Sequence, residues 1–178
     1  MNYATTALFA GCLALAGCHL DDHQESARRV TEATCVLHAV GGSGVSGTLR
    51  LEAVADGTRI TGEIRGLMPG LHGFHIHQLG DVSDLETGKS AGGHYAPRGH
   101  EHGRKDAEHR HVGDLGNIEA DARGTATVDL VDRQVMLNGP YSVVGRAFVV
   151  HADADRFTQP SGGAGARVAV GVIGIAAE

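Results

Sequence analysis

The chain has no tryptophan, only three cysteines and an aromatic content of 4%. So few cysteines exclude the disulfide framework that staples many small exported domains. No window spaces its apolar residues convincingly for a long amphipathic helix, which leaves little room for a helical fold. Its mostly apolar stretch Ala4 to Ala16 is too short to cross a bilayer. Positive charge is also in deficit, with 15 Lys and Arg against 21 Asp and Glu and a net charge of −6. That balance argues against nucleic acid or an anionic membrane surface as partner, and any anionic substrate must be attracted locally.

Glycine and histidine are abundant, at 27 and 12 of 178 residues. The glycines punctuate short runs that alternate apolar and polar residues: Thr48 to Val54 and Arg59 to Ile64 flank Asp56-Gly57, and Asn117 to Ala120 and Thr125 to Val131 flank Asp121 to Gly124. Cys35 to Val40, Ser142 to Val150 and Val168 to Ile175 are further β-rich runs. Short strands at regular spacing with Gly/Asp turns predict one all-β domain, an antiparallel sandwich or barrel.

At the N-terminus, Met1 to Gly17 is uncharged and reads as an export signal. Leu15-Ala16-Gly17-Cys18 resembles the bacterial lipobox, which would leave Cys18 as a lipidated N-terminus, although no Lys or Arg precedes the apolar run. A plain cleaved signal or a chance match are the alternatives. The predicted organisation is a lipoprotein-type signal over 1–17, a flexible tether over 18–31 and a β domain over 32–178. Removal of Cys12 and acylation of Cys18 would leave Cys35 as the only free thiol, so no intramolecular disulfide is expected. The expected location is the cell envelope, periplasmic and lipid-anchored to the outer membrane.

Two segments break the β rhythm, Gln78 to Asp114 and Ala152 to Ala166. Loops of that length in a compact domain are usually functional or stapled by something. In Gly73-Phe-His-Ile-His-Gln-Leu-Gly-Asp81 a strand would project His75 and His77 on one face and Ile76 on the other. An isolated pair of this kind is usually two solvated histidines; here His94, His102, His111 and Asp114 lie in the first long segment and His151 borders the second. Six imidazoles and a carboxylate suit borderline divalent metals such as zinc and copper. Seven ligands are too many for one such ion and about right for two, if one imidazole serves both.

The stretches GLHGFHIHQLGD (from Gly70), AGGHYAP (from Ala91), HVGDLGN (from His111), GRAFVVH (from Gly145) and AGARVAVGVIGIA (from Ala164), in that order, resemble copper/zinc superoxide dismutase. The resemblance implies a Greek-key β-barrel with two long functional loops. By position it implies copper on His75, His77, His94 and His151, zinc on His94, His102, His111 and Asp114, and His94 as the shared imidazolate. It further implies Asp155 as a carboxylate joining a copper histidine to a zinc histidine, by resemblance His75 and His102, and Arg167 as guide for the superoxide anion. His38, His72, His100 and His109 are not expected to be ligands. The implied reaction converts superoxide to oxygen and hydrogen peroxide by redox cycling of copper, with zinc as structural and electrostatic partner and His94 as proton carrier. The alternative is a periplasmic copper/zinc binding or buffering protein on the same fold; a structural sandwich with incidental histidines is a weaker third.

The chain also departs from the family pattern. Gly88 or Lys89 stands near one half-cystine position and Val170 at the other, so the family crosslink from the first loop to the last strand is missing. The segment from His151 to Arg167 is short and lacks the family's acidic and lysine steering residues. The ending from Gly171 resembles the part that eukaryotic members use for dimer contact, which predicts a homodimer.

Overall fold

The computed structural model describes Met1 and residues 29–177. The expected signal and lipidation positions, Cys12 and Cys18 among them, lie outside the described residues. Among the described residues eight strands form: β1 (Glu32–Ala39), β2 (Ser46–Val54), β3 (Gly57–Arg65), β4 (Gly70–His77), β5 (Asp114–Ala120), β6 (Thr125–Asp132), β7 (Ala147–His151) and β8 (Arg167–Ile175). They close an antiparallel barrel in the order β1-β2-β3-β6-β5-β4-β7-β8. Closure leaves no sheet edge to template association. Among the described residues, Val30 is tied to the fold through its N–H and carbonyl, which both pair with the Asn138 side chain at 2.9 and 2.7 Å.

The alternation legible in β2 and β3 places Leu49, Leu51, Ile60 and Ile64 inside the barrel and their charged neighbours outside. The hairpin turn itself falls on Ala55-Asp56, because Gly57 already pairs with Val54 as the first residue of β3. Only glycine suits that place: φ is +130° and a Cβ would sit 2.1 Å from the Asp132 carbonyl oxygen. The apolar run from Ser142 is strand only from Ala147. Gly145 at φ +82° and the bond from Arg146 N–H to the Val143 carbonyl turn the chain before it can enter the sheet.

β4 pairs with β7 so that Ile76 faces Phe148 and Phe74 faces Val150, all four in the core, with Phe74 and Phe148 stacked at 5.0 Å. The opposite face of β4 carries His75 and His77. A smaller apolar cluster of Val40, Ala91, Ala147, Val149 and Val170, with Val82 against it, lies apart from the main core. It unites β7 and β8 with residues of the long segment after His77.

Candidate metal centre

Both long segments fold onto the outer face of β4 and β7. The first is knitted to β4 by Gln78 N–H donating to the Gly93 carbonyl (2.9 Å) and Tyr95 N–H to the Ile76 carbonyl (2.8 Å), which places His94 beside His77. Its return passes Gly113, whose carbonyl accepts from Ile76 N–H at 2.9 Å. His151 ends β7 opposite Arg167, the first residue of β8. Side chains far apart in sequence thus meet on one small patch of sheet.

They meet as two sets sharing a residue. One ligand atom each from His75, His77, His94 and His151 lies within 4.8 Å of the others, and the same holds for His94, His102, His111 and Asp114. His75, His102 and Asp155 form a third group. All seven expected ligand residues and Asp155 are brought together, while His38, His72, His100 and His109 join none of these groups. His72 instead bridges two carbonyls, those of His151 (2.8 Å) and Met68 (2.7 Å).

Hydrogen bonding fixes which nitrogen of each ring faces its set. His75 places Nε2 on Asp155 at 2.9 Å, His77 places Nδ1 on the Gly92 carbonyl at 2.8 Å, and His151 places Nδ1 toward the Gly165 carbonyl at 3.3 Å. The opposite nitrogens, His75 Nδ1, His77 Nε2 and His151 Nε2, are buried without a hydrogen-bond partner. Three orphaned polar atoms converging in one place are costly unless something accepts their lone pairs, and a metal ion does. In the other set the Nδ1 atoms of His94, His102 and His111 approach Asp114 Oδ1 at 2.8, 2.9 and 3.1 Å, and His94 and His111 Nδ1 are 3.4 Å apart. A tetrahedron with bonds of about 2.0–2.1 Å has edges of roughly 3.3–3.4 Å, close to this spacing. The donor sets fit two borderline metal ions that share the His94 ring.

Carboxylates and amides hold the frame. Asp114 Oδ2 accepts from the N–H groups of Gly103 (2.9 Å) and His111 (3.0 Å), leaving Oδ1 for the imidazoles. Asp155 spans the two sets, with Oδ2 on His75 and Oδ1 on His102 Nε2 at 3.0 Å. Gly162, at φ +80°, passes so close that a Cβ there would lie 2.0 Å from Asp155 Oδ1. Desolvation drives His94 down to about 4 and His151 to about 3, and holds His77 well below its ordinary value, so these rings are neutral and offer lone pairs at neutral pH. Burial opposes charge on His102 too, but Asp114 and Asp155 on either side outweigh it and raise it to about 9. In the metal-free chain that ring holds a proton, which a bound cation would displace.

Arg167 is anchored beside the first set. Its Nη1 donates to the Gly88 carbonyl at 2.5 Å and Nη2 to the Gly92 carbonyl at 2.6 Å. Gly92 therefore receives both Arg167 and His77. The positive charge of Arg167 helps keep His77 and His151 neutral, which places it within electrostatic reach of both rings.

Residues 45–173 match the copper/zinc superoxide dismutase family. The chain belongs to this family. It is 45% identical over 159 residues, 84% of this chain and 78% of the relative, to an extracellular Cu-Zn superoxide dismutase of Brugia pahangi. It is 46% identical to a Cu-Zn superoxide dismutase of Onchocerca volvulus, covering 83% of this chain and 98% of that one. The crystal structure of the clock protein EA4 superposes with a TM-score of 0.76 at 39% identity, covering 83% of this chain and 96% of that chain. The all-β Greek-key barrel expected from the sequence is thus both observed in the strand order and shared with a relative of solved structure.

Three supports of this dismutase-family site escaped the sequence reading. Asn117 clamps Asp155 by accepting its N–H at 2.7 Å and donating to its carbonyl at 3.0 Å. Gln159 does the same for His102, at 3.2 and 2.8 Å. Arg110, buried to 2% exposure, donates to the carbonyls of Lys105, His111 and Val112 and pairs with buried Asp132 at 2.5 Å. A strand amide (Asn117) and an amide and an arginine in polar loops (Gln159 and Arg110) look solvated in sequence; only their flanking of ligand residues could have flagged them.

Proposed function

We propose that the chain is a copper- and zinc-dependent superoxide dismutase, converting superoxide to oxygen and hydrogen peroxide. The observation that carries this is the pair of four-residue sets with His94 common to both. His75, His77, His94 and His151 would hold copper; His94, His102, His111 and Asp114 would hold zinc. Copper, when bound, supplies the one-electron chemistry, and zinc supplies charge without redox activity.

The chain's own groups do the rest. Arg167 presents a fixed cation and planar donors that draw in and orient the anion against a net charge of −6. His94 Nε2, on the side away from Asp114, is the atom suited to hold and deliver a proton. Asp155 keeps the His75 and His102 tautomers in place, so that His75 Nδ1 and His102 Nδ1 stay free for ligation.

The test is to quantify copper and zinc in the purified protein and follow superoxide decay directly on the same sample. One equivalent of each metal with rapid decay is expected; bound metal without decay would leave a buffering protein.

The same reading extends to location and assembly. Export is supported by the apolar N-terminus and by the extracellular relative, and acylation of Cys18 with periplasmic, outer-membrane anchoring is the finer form of it. Mass measurement of the mature N-terminus decides between a lipidated Cys18 and another cleavage point. Exposed Val36, Leu79 and Ile175 support a homodimer, to be tested by sedimentation.

A further inference from the structure

Without the family crosslink, something else must fix the carbonyls that hold Arg167. The structure places Gly88 buried against the Arg167 side chain and Val40, with Val170 in the apolar cluster beneath. Around Gly88 the segment 81–90 is wound about one carboxylate. Asp84 Oδ1 accepts from the N–H groups of Glu86 (3.1 Å) and Thr87 (2.9 Å), and Oδ2 accepts from Lys89 N–H (3.2 Å) and from the Thr87 hydroxyl. The Asp84 backbone takes part as well, its carbonyl accepting from Gly88 N–H at 2.9 Å and its N–H donating to Ser90 Oγ at 3.2 Å. Ser90 in turn donates to the Asp81 carbonyl at 2.8 Å. The Leu85 carbonyl, accepting from Gly41 N–H at 2.9 Å, ties the turn to the β1–β2 connection.

We propose that Asp84 is a positioning residue for superoxide capture: its hydrogen-bonded turn, seated on the Val170 cluster, holds the Gly88 carbonyl that aims Arg167, as a replacement for the missing disulfide. The proposal rests on the reading of Arg167 as anion guide. Two physical roles for Asp84 predict opposite signs. As a charge near the path of an anion, Asp84 repels it, so its removal should speed capture. As the core of the turn, its removal should loosen Gly88 and slow capture.

The experiment uses the copper- and zinc-loaded protein and four variants: Asp84→Ala, Asp84→Asn, Arg167→Ala and the Asp84→Ala/Arg167→Ala double. The second-order rate with superoxide should fall about tenfold in Asp84→Ala and less in Asp84→Asn, which keeps Oδ1 as acceptor. Metal content should be unchanged, and azide affinity, read from the copper absorption spectrum, should weaken in parallel. In the Arg167→Ala background the Asp84 effect should vanish, because the two act as a unit. In metal-free and loaded protein alike, the amides of Gly88 and Lys89 should lose hydrogen-exchange protection in Asp84→Ala. An unchanged rate in Arg167→Ala would remove the guide reading itself. A slow Arg167→Ala with an unchanged or faster Asp84→Ala, or additive losses in the double variant, would overturn the inference alone. If Asp84→Ala fails to hold metal, Asp84→Asn decides: slowed with full metal supports it, unchanged or faster refutes it.

Discussion

The Arg110–Asp132 pair offers a sharp test of how this fold secures the loop that carries His102 and His111. Both side chains are buried, at 2% and 1% exposure, and they join the loop to the end of β6. Asp132→Asn keeps the shape and leaves Oδ1 to accept from the N–H groups of Gln134 (2.9 Å) and Val135 (3.1 Å), but it strips the guanidinium of its counterion. The three carbonyls still around Arg110 satisfy its protons without neutralising its charge. Breaking a buried pair from one side typically costs about 3–5 kcal/mol. At roughly 2–4 °C per kcal/mol for a domain of this size, the melting temperature should fall by about 6–20 °C. Thermal unfolding by circular dichroism, metal-free and loaded, measures this. Arg59–Asp129 is an internal control: a two-pronged contact at 3.0 and 2.8 Å, but about half exposed, whose Asp129→Asn variant should melt with wild type. The reasoning fails if Asp132→Asn shifts melting no more than Asp129→Asn, because burial would then not be what gives the pair its weight. Apolar replacement of both partners, Arg110→Met with Asp132→Leu, should not recover the loss, because it also orphans the Gln134 and Val135 N–H groups and the Lys105, His111 and Val112 carbonyls.

Asp155→Ala should weaken metal binding by about 10–100-fold, read by competition with a chromogenic chelator, since His75 and His102 both lose the carboxylate that orients them. Gly162→Ala should do the same in milder form by pushing that carboxylate aside, and normal affinity in this variant would contradict the packing at Gly162. The metal-free protein should lose stability on acidification: His94 and His151 have folded values of about 4 and 3, below their unfolded 6.5, so the unfolded chain takes up more protons. That contribution is complete above pH 6.5 and disappears as pH falls toward 4 and then 3. His102, raised to about 9, works in the opposite sense, complete below 6.5 and lost as pH rises through 9. Urea midpoints at pH 7, 6 and 5 should therefore decline in order. Burial pushes the Cys35 thiol up to about 12, so it should react with a thiol reagent only after unfolding.

The barrel was legible because half-buried strands write their period into the sequence, as in β2 and β3. Each ligand expected from motif position falls in one of the two sets, since the motifs carry both a residue type and its place on a strand or loop. The strand from Ser142 was overextended because β propensity is blind to a left-handed glycine at 145. Asn117, Gln159 and Arg110 stayed hidden for a different reason. Their roles come from what they touch across the fold, 38 and 57 residues away for the two amides, and nothing in local pattern reports such pairing. Anchoring of Arg167 was likewise unreadable, because Gly88 in sequence shows only an absent cysteine.

The carbonyl oxygen of Gly92 faces the His77 ring on one side and the Arg167 guanidinium on the other. With copper on His77 and the anion guided by Arg167, as proposed, a backbone shift of a few tenths of an ångström there would retune reduction potential and capture together. Evolution of this enzyme cannot adjust either property through that loop while leaving its companion untouched.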